Sequence, residues 1–248
     1  MAVSVGSHLT RKKQHFPYEI AVLCYDSPQS VLSILHAYRI PPQRITLFVQ
    51  TKQDEHAIQE HISRHRYGHL IVGGQGRCAM ETLLHHHYPP GTLLVVLEDS
   101  CLGLRELTQP QKVVKSLIGL IRSGFDACRA ATAGLWGVYP INEEAFLRPT
   151  ISSTLNYTSP LLWGCIVMPV VFTTECYTHH ERILAYYSVY SKCIRFNSIA
   201  IHHHSRPKTN EHEAKELYTR YPSWISLHRE SSGVYLRLHD SDRESKKL

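Results

Sequence analysis

The residues richest in chemistry lie in one stretch, Leu93-Leu94-Val95-Val96-Leu97-Glu98-Asp99-Ser100. The aliphatic run reads as a central strand buried on both faces of a mostly parallel sheet. It ends abruptly in two carboxylates and a hydroxyl, and burying unpaired carboxylates costs several kcal/mol unless a cation or hydrogen bonds compensate. In an open α/β sheet, ligands bind beyond the carboxyl ends of the strands. The oxygens of Glu98, Asp99 and Ser100 there suit a hard divalent cation, Mg²⁺ or Mn²⁺, carrying a phosphorylated ligand. A helix N-cap at Asp99 or Ser100 accounts for the same residues equally well.

Two further sets belong to the same edge. Tyr25, Asp26 and Ser27 follow an earlier apolar run; Tyr25 can stack on a base, and Asp26 or Ser27 can hydrogen-bond a ribose or a uracil edge. A plain Asx or Ser cap fits them as well. The turn Gly73-Gly74-Gln75-Gly76-Arg77 precedes a helix and can cradle phosphates with its backbone N–H groups. It matches neither GxGxxG nor GxxxxGK[ST], so a tight strand-to-helix connection remains an equal reading. The triplets His85-His86-His87 and His202-His203-His204 invite a metal, but consecutive side chains point in different directions and do not easily close on one ion. No Gly-x-Ser-x-Gly elbow and no Walker motif is present.

The elements that must position these groups alternate regularly. Strands are predicted at 18–25, 44–49, 69–72 and 93–98, separated by helices at 28–39, 54–64 and 78–86. Ser27 and Pro28 supply start signals for the first helix. Strand and helix alternate three times before Asp99, which argues for a right-handed, parallel, Rossmann-like sheet. Beyond it the spacing predicts a helix at 113–123 stopped by Arg122 and Gly124, and strands at 135–140, 151–157 and 161–168. A helix at 178–190, a strand at 193–202, a helix at 210–221 and a strand at 234–238 complete the chain. Runs of strands with short loops read as an antiparallel, mixed-strand extension suited to an acceptor.

Composition sets the outer limits. The chain has 248 residues, 43% hydrophobic and 19% charged, with a formal net charge of +6 and 18 histidines. That surface is hospitable to polyanions without demanding one. Seven cysteines form no CxxC pair and sit in apolar segments, which favours reduced, buried thiols. No run reaches membrane-span length, and residues 1–14 lack an apolar signal core. The expectation is an intracellular protein, nuclear or cytoplasmic. Residues 1–17 are expected to form a flexible basic leader, 18–239 a single domain, and 240–248 a charged tail.

A Rossmann-like half, an acidic cluster after its fourth strand and a mixed-strand second half make the layout of a GT-A-type glycosyltransferase. Several segments go further. Cys24-Tyr25-Asp26-Ser27-Pro28, the glycine turn, Tyr88-Pro89-Pro90-Gly91-Thr92, Glu98-Asp99-Ser100, Leu135-Trp136-Gly137-Val138-Tyr139-Pro140, Arg195-Phe196-Asn197 and the pattern from Glu213 to Pro222 occur in order. Together they resemble the TET/JBP-associated glycosyltransferases, which include the base J glucosyltransferases and the domains of the GREB type. The resemblance runs from about Tyr18 to Leu238.

That resemblance implies transfer of a hexose from a UDP-linked nucleotide sugar to the hydroxymethyl group of an oxidised pyrimidine in DNA, 5-hydroxymethyluracil or 5-hydroxymethylcytosine. A duplex base must leave the stack to reach such a pocket; Trp136, Trp163 and Tyr139 are candidates to stack on it, or else core residues. The implied metal set is Glu98, Asp99 and Ser100, holding Mn²⁺ or Mg²⁺ against the donor diphosphate. The implied donor-binding set is Tyr25, Asp26, Ser27, Gln75, Arg77 and Glu98.

The chain departs from the family pattern at three places. Ser100 stands where a third carboxylate is expected. Gln75 and Glu81 stand where the family carries a Lys and an Arg, leaving Arg77 as the candidate replacement charge. The acidic pair opening the late helix is Thr178-His179, with Glu181-Arg182 just after it. His179 and Glu181 are therefore the candidates for the general base. The departures also raise two alternatives: a weakened or inactive transferase that binds DNA or protein, and a transferase acting on protein.

Overall fold

The computed structural model describes residues 16–106, 114–141, 146–202, 210–230 and 233–239. The expected basic leader up to residue 15, the tail 240–248 and the basic loop after His202 lie outside them. Among the described residues nine strands form one sheet. β1 (Glu19–Cys24), β2 (Ile45–Val49), β3 (His69–Val72) and β4 (Leu93–Glu98) run parallel in the order β3-β2-β1-β4. Their sequences explain this. In β1, Ile20, Val22 and Cys24 face one apolar layer while Ala21 and Leu23 face the other, so every position after Glu19 is buried, as a strand covered by helices on both sides requires.

The first layer is covered by α1 (Gln29–Ala37) and α2 (Lys52–His61), with α4 (Leu117–Ala131) farther along the chain. The second is covered by α3 (Arg77–His87), α5 (Thr178–Tyr190) and α6 (Glu211–Arg220). α2 begins with a capping box in which Thr51 and Asp54 satisfy each other's backbone N–H. Ser27 does not cap α1: Pro28 occupies the N-cap position, with no side-chain hydrogen bond. Pro28 instead supplies a preset φ near the helical value.

Past β4 the sheet becomes mixed, as expected, but not as a simple antiparallel extension. β8 (Leu162–Ile166) inserts antiparallel beside β4, and β6 (Leu135–Tyr139) pairs antiparallel with β8. β6 and its parallel neighbour β9 (Ile194–His202) thereby recover the direction of β1. β5 (Gly103–Glu106) and β7 (Ile151–Ser152) add antiparallel pieces along β9. The result is α/β and Rossmann-like, with a mostly parallel sheet and the GT-A-like arrangement anticipated from the sequence. A hairpin of β10 (Ile225–Glu230) and β11 (Gly233–Leu238) packs with α6. Tyr177 donates its hydroxyl proton to the Val234 carbonyl at 2.7 Å and so ties the hairpin to the start of α5.

Three expectations are corrected. α4 runs to Ala131 rather than stopping near Gly124, because Gly124 makes room for the Trp136 ring: a Cβ there would lie 2.5 Å from it. The strand expected over 151–157 contracts to two residues. No helix follows β4, so neither Asp99 nor Ser100 is a helix cap; β5 comes next. Among the described residues no helix is long and apolar enough to cross a membrane.

Candidate functional site at the carboxyl edge of the sheet

Side-chain alternation decides what the acidic stretch can do. In β4, Leu94 and Val96 face the α3/α5 layer while Val95 and Leu97 face the α1/α4 layer. Continuing the period of two, Glu98 turns toward α3 and Asp99 turns the other way. Their partners agree. Glu98, 1% exposed, forms an ion pair through Oε1 with Arg77 Nη1 from the first turn of α3. Its Oε2 is buried without a partner among the described residues. Burial pushes the Glu98 carboxyl up, and the Arg77 charge pulls against that shift.

Asp99 accepts the backbone N–H groups of Tyr25 at 2.7 Å and Asp26 at 2.6 Å, both on Oδ2. It thereby fixes the loop that leaves β1. Burial raises its carboxyl too, opposed by those N–H bonds.

The expected metal set of Glu98, Asp99 and Ser100 therefore does not converge. One carboxylate neutralises a guanidinium and the next clamps backbone amides on the opposite face. No group of three His, Cys, Asp or Glu side chains placed to hold a metal occurs among the described residues. The donor set of this chain does not fit a preformed divalent-cation site.

Tyr25, Asp26 and Ser27 do sit together at the carboxyl end of β1, with Asp26 and Ser27 exposed. The Arg77 guanidinium lies 4.8 Å from the centre of the Tyr25 ring. The Tyr25 hydroxyl is buried without a partner among the described residues. Burial and the carboxylates of Glu98 and Glu81 hold it well above the usual phenol range.

The glycine turn adopts the backbone that its composition allows, with φ of +75° at Gly74 and +87° at Gly76. Gln75 is exposed at its tip. The N–H groups at the start of α3 already have an anion: Glu175 accepts from Arg77 N at 2.6 Å and Cys78 N at 3.0 Å. Gly76 N–H donates to Gln50 Oε1 at 2.9 Å. A carboxylate of this chain thus occupies the place where backbone amides would cradle a phosphate.

The late helix carries the remaining candidates in an unusual setting, since residues 178–184 of α5 are all buried. Polar groups on such a helix must find partners. Glu181 does so fully. It accepts from Thr173 N at 3.0 Å, Thr174 N at 2.9 Å, Thr174 Oγ1 at 2.7 Å and Arg220 Nη1 at 2.7 Å. Its carboxylate joins α6 to the segment preceding α5, so the assignment of Glu181 as general base is corrected to a structural anchor. Arg182, 0% exposed, reaches both oxygens of Glu81 at 2.7 and 2.8 Å and lies over Trp163 at 4.0 Å.

His179 remains. It is buried beside Tyr157, with ring centroids 5.1 Å apart, and its Nε2 has no partner among the described residues. Burial, with the charges of Arg182 and Arg77 and the neighbouring His180, drives its pKa well below the ordinary imidazole value. His180, also buried, is lowered to about 3. Both imidazoles are neutral at physiological pH.

His179 and His180 line a cavity of about 800 Å³ bounded by the end of β6, the start of α5 and β11. Tyr139, Tyr157, Tyr177 and Tyr235 supply aromatic wall, Arg195 and Arg237 supply positive charge, and among the described residues no carboxylate lines it. Arg195 is held over the Tyr139 ring at 4.8 Å and donates to Asn197 Oδ1 at 2.6 Å and to the Tyr157 carbonyl at 3.0 Å. Glu175, which accepts from Arg77 N and Cys78 N, directly precedes Cys176 and Tyr177 of the cavity wall, so the cavity adjoins the start of α3 and the Arg77 edge.

Tyr139 therefore reaches an open site, whereas Trp136 and Trp163 are core residues with no exposure. His180, Tyr157 and Arg195 were not singled out as site residues by composition or spacing. The one available signal was the motif Arg195-Phe196-Asn197, in which Arg and Asn alternate to the same face.

Of the first histidine triplet, His85 is buried with Nδ1 bonded to the Glu81 carbonyl at 2.8 Å, while His86 and His87 are exposed. No shared ligand geometry results. In the second triplet, His203 and His204 lie outside the described residues. No disulfide joins any of the seven cysteines. Burial pushes Cys165 and Cys128 up to about 12, which excludes them as thiolate nucleophiles.

No protein-family model matches the chain, and no curated protein matches it. Among solved structures it is similar to 4-diphosphocytidyl-2C-methyl-D-erythritol synthase from Anaerococcus prevotii, with 11% sequence identity and a TM-score of 0.40. That match covers 83% of this chain and 96% of the other. The likeness to the TET/JBP-associated family accordingly rests on sequence motifs alone.

Proposed function

We propose that the chain is a GT-A-like glycosyltransferase. It takes a UDP-linked sugar at the carboxyl edge of β1 and β4 and transfers the hexose to the hydroxymethyl group of an oxidised pyrimidine in DNA. The observation that carries the reading is the adjacency of two unlike sites. One is a strand-end loop, Tyr25-Asp26-Ser27, held open by Asp99. The other is the aromatic, basic cavity around Tyr139, Tyr157 and Arg195.

In the reaction, the acceptor hydroxymethyl oxygen forms a bond to the anomeric carbon while the bond from that carbon to the diphosphate breaks. The acceptor proton must leave, and the nucleotide departs with the negative charge. The aromatic faces of the cavity suit a base taken out of the stack, and Arg195 suits the phosphate beside it. The Nε2 of His179 and the Nδ1 of His180 are imidazole nitrogens in the wall without a partner among the described residues, and His179 is the one taken here as acceptor. Its lowered basicity makes it a hydrogen-bond acceptor that orients the hydroxyl and takes up the proton late.

Incubation with labelled UDP-sugar and DNA containing 5-hydroxymethyluracil or 5-hydroxymethylcytosine tests the reading, with unmodified DNA and protein extract as controls. Label in the modified DNA is the expected result. His179→Ala is expected to slow transfer by about 100-fold, the scale of a proton-transfer contribution. Label in protein alone moves the acceptor to protein. A specific observation favours a second reading, an inactive module that binds DNA or protein: Glu98, Asp99 and Glu181 are all committed to internal partners. Binding of modified DNA with no sugar transfer from any nucleotide sugar would select it.

A further inference from the structure

We infer that Arg77 is the cation that receives the nucleotide diphosphate and that nucleotide binding needs no divalent metal. This rests on the donor-site reading above and departs from it only in what supplies the positive charge.

Three observations carry the inference. The carboxylates that would hold a metal diverge, Glu98 toward α3 and Asp99 toward the backbone of Tyr25 and Asp26. The backbone amides that could receive phosphate at the start of α3 are taken by Glu175. What the edge offers instead is a guanidinium. Arg77 is fixed from two sides, by the Glu98 carboxylate on Nη1 and by the Tyr25 ring on its face, yet its side chain remains 36% exposed. The second guanidinium of the region, Arg182, is sealed between Glu81 and Trp163 with no exposure.

Arg77 therefore presents the outer part of a rigid, five-donor fork at the place where ligands enter such a sheet. A planar fork matches two phosphate oxygens at once. Held in advance, it stabilises charge on a departing diphosphate without reorganising. Glu98 acts as a positioning residue for it, orienting the guanidinium from behind.

The test is titration calorimetry of the full chain with UDP, once in EDTA and once in Mn²⁺. It is repeated with Arg77→Lys and with the double variant Arg77→Met/Glu98→Gln, which removes both charges so that neither is left buried alone. Circular dichroism and melting temperature establish that each variant is folded. UDP affinity is expected to agree within about twofold between the two buffers. It is expected to fall by about tenfold or more in the double variant, as loss of a charge-assisted pair implies. In Arg77→Lys it should fall severalfold, because a point charge replaces the fork.

Loss of wild-type binding in EDTA, or unchanged affinity in both variants, overturns the inference and leaves the donor site standing. Absence of UDP binding in either buffer removes the donor-site reading itself, and this inference with it.

Discussion

Arg182 and Glu81 meet 101 residues apart in sequence, with Arg182 Nη1 donating to both Glu81 oxygens at 2.7 and 2.8 Å. The pair is completely enclosed and joins α5 to α3 directly behind the Arg77 edge. A buried pair contributes little net stability as a unit, but removing one partner strands the other charge in a medium that cannot solvate it. Glu81→Gln or Arg182→Met alone is expected to cost roughly 3–5 kcal/mol in denaturant unfolding. The double variant Glu81→Leu/Arg182→Met should recover most of that loss. A single variant within experimental error of the wild type would show that the pair is not enclosed as described.

The buried histidines make stability depend on pH in a definite direction. Burial lowers His85 from 6.5 to about 4 and His180 to about 3, so the folded chain keeps both neutral while the unfolded chain protonates them below about pH 6.5. Between about pH 6.5 and pH 4 the unfolded state binds more protons, and stability therefore falls as pH falls through that window. For His85 alone the shift corresponds to roughly 3 kcal/mol by about pH 4. Glu98 and Asp99 act in the opposite sense, because burial raises their carboxyls and lets the folded state take up protons first. That gain begins at their raised folded-state values and is complete below the ordinary carboxylate range, so it offsets part of the loss at the acid end of the window. Urea unfolding at about pH 7 and about pH 5 should show a clear loss of stability at the lower value, and His85→Gln should reduce the slope by close to one proton. A flat profile for the wild type contradicts neutral burial.

The first half of the fold was legible because its strands are apolar at most positions and its helices carry stripes at helical spacing. Residues 69–72 and 178–190 were bounded as observed. β5 and β10 were not legible: Gly103-Leu104-Arg105-Glu106 and the end His228-Arg229-Glu230 are short and charged, and acquire strand geometry only from β9 and β11. The site shows the same division. The acidic strand end was readable, and alternation along that strand already implied that Glu98 and Asp99 part to opposite faces. Partners were not readable, since Arg77, Glu175 and Glu81 reach their contacts across 21, 98 and 101 residues. Local pattern carries no information at that range.

Glu181 tests the distinction between chemistry and architecture. Its carboxylate receives two backbone amides, a Thr174 hydroxyl and the Arg220 guanidinium. Glu181→Gln keeps the shape but loses the charge that these donors share. It is expected to lower stability by about 1–3 kcal/mol, as for a buried charge-assisted network. Affinity for UDP should remain unchanged. A variant that keeps its melting temperature but loses sugar transfer would return Glu181 to the catalytic machinery.

Gly124 supplies a test in which two general rules oppose each other. In an exposed helix interior, Gly→Ala gains about 1 kcal/mol because alanine has the higher helix propensity. In α4 the glycine faces the sheet, and an added Cβ would lie 2.5 and 2.6 Å from two ring atoms of Trp136. Trp136 cannot retreat: it is fully buried, edge-on to Phe125 and Phe196, and Gly164 on β8 already accommodates its other side. Overpacking of such a core typically costs 1–3 kcal/mol, so the steric term exceeds the propensity gain. Gly124→Ala is therefore expected to lower stability by about 1–2 kcal/mol, whereas Ala is well tolerated at the exposed α4 position Ser123. Paired with Trp136→Phe, the same substitution should recover part of the loss, because the smaller ring vacates the space that the methyl group enters. A stabilised Gly124→Ala protein would mean that α4 and β6 are farther apart than this contact requires.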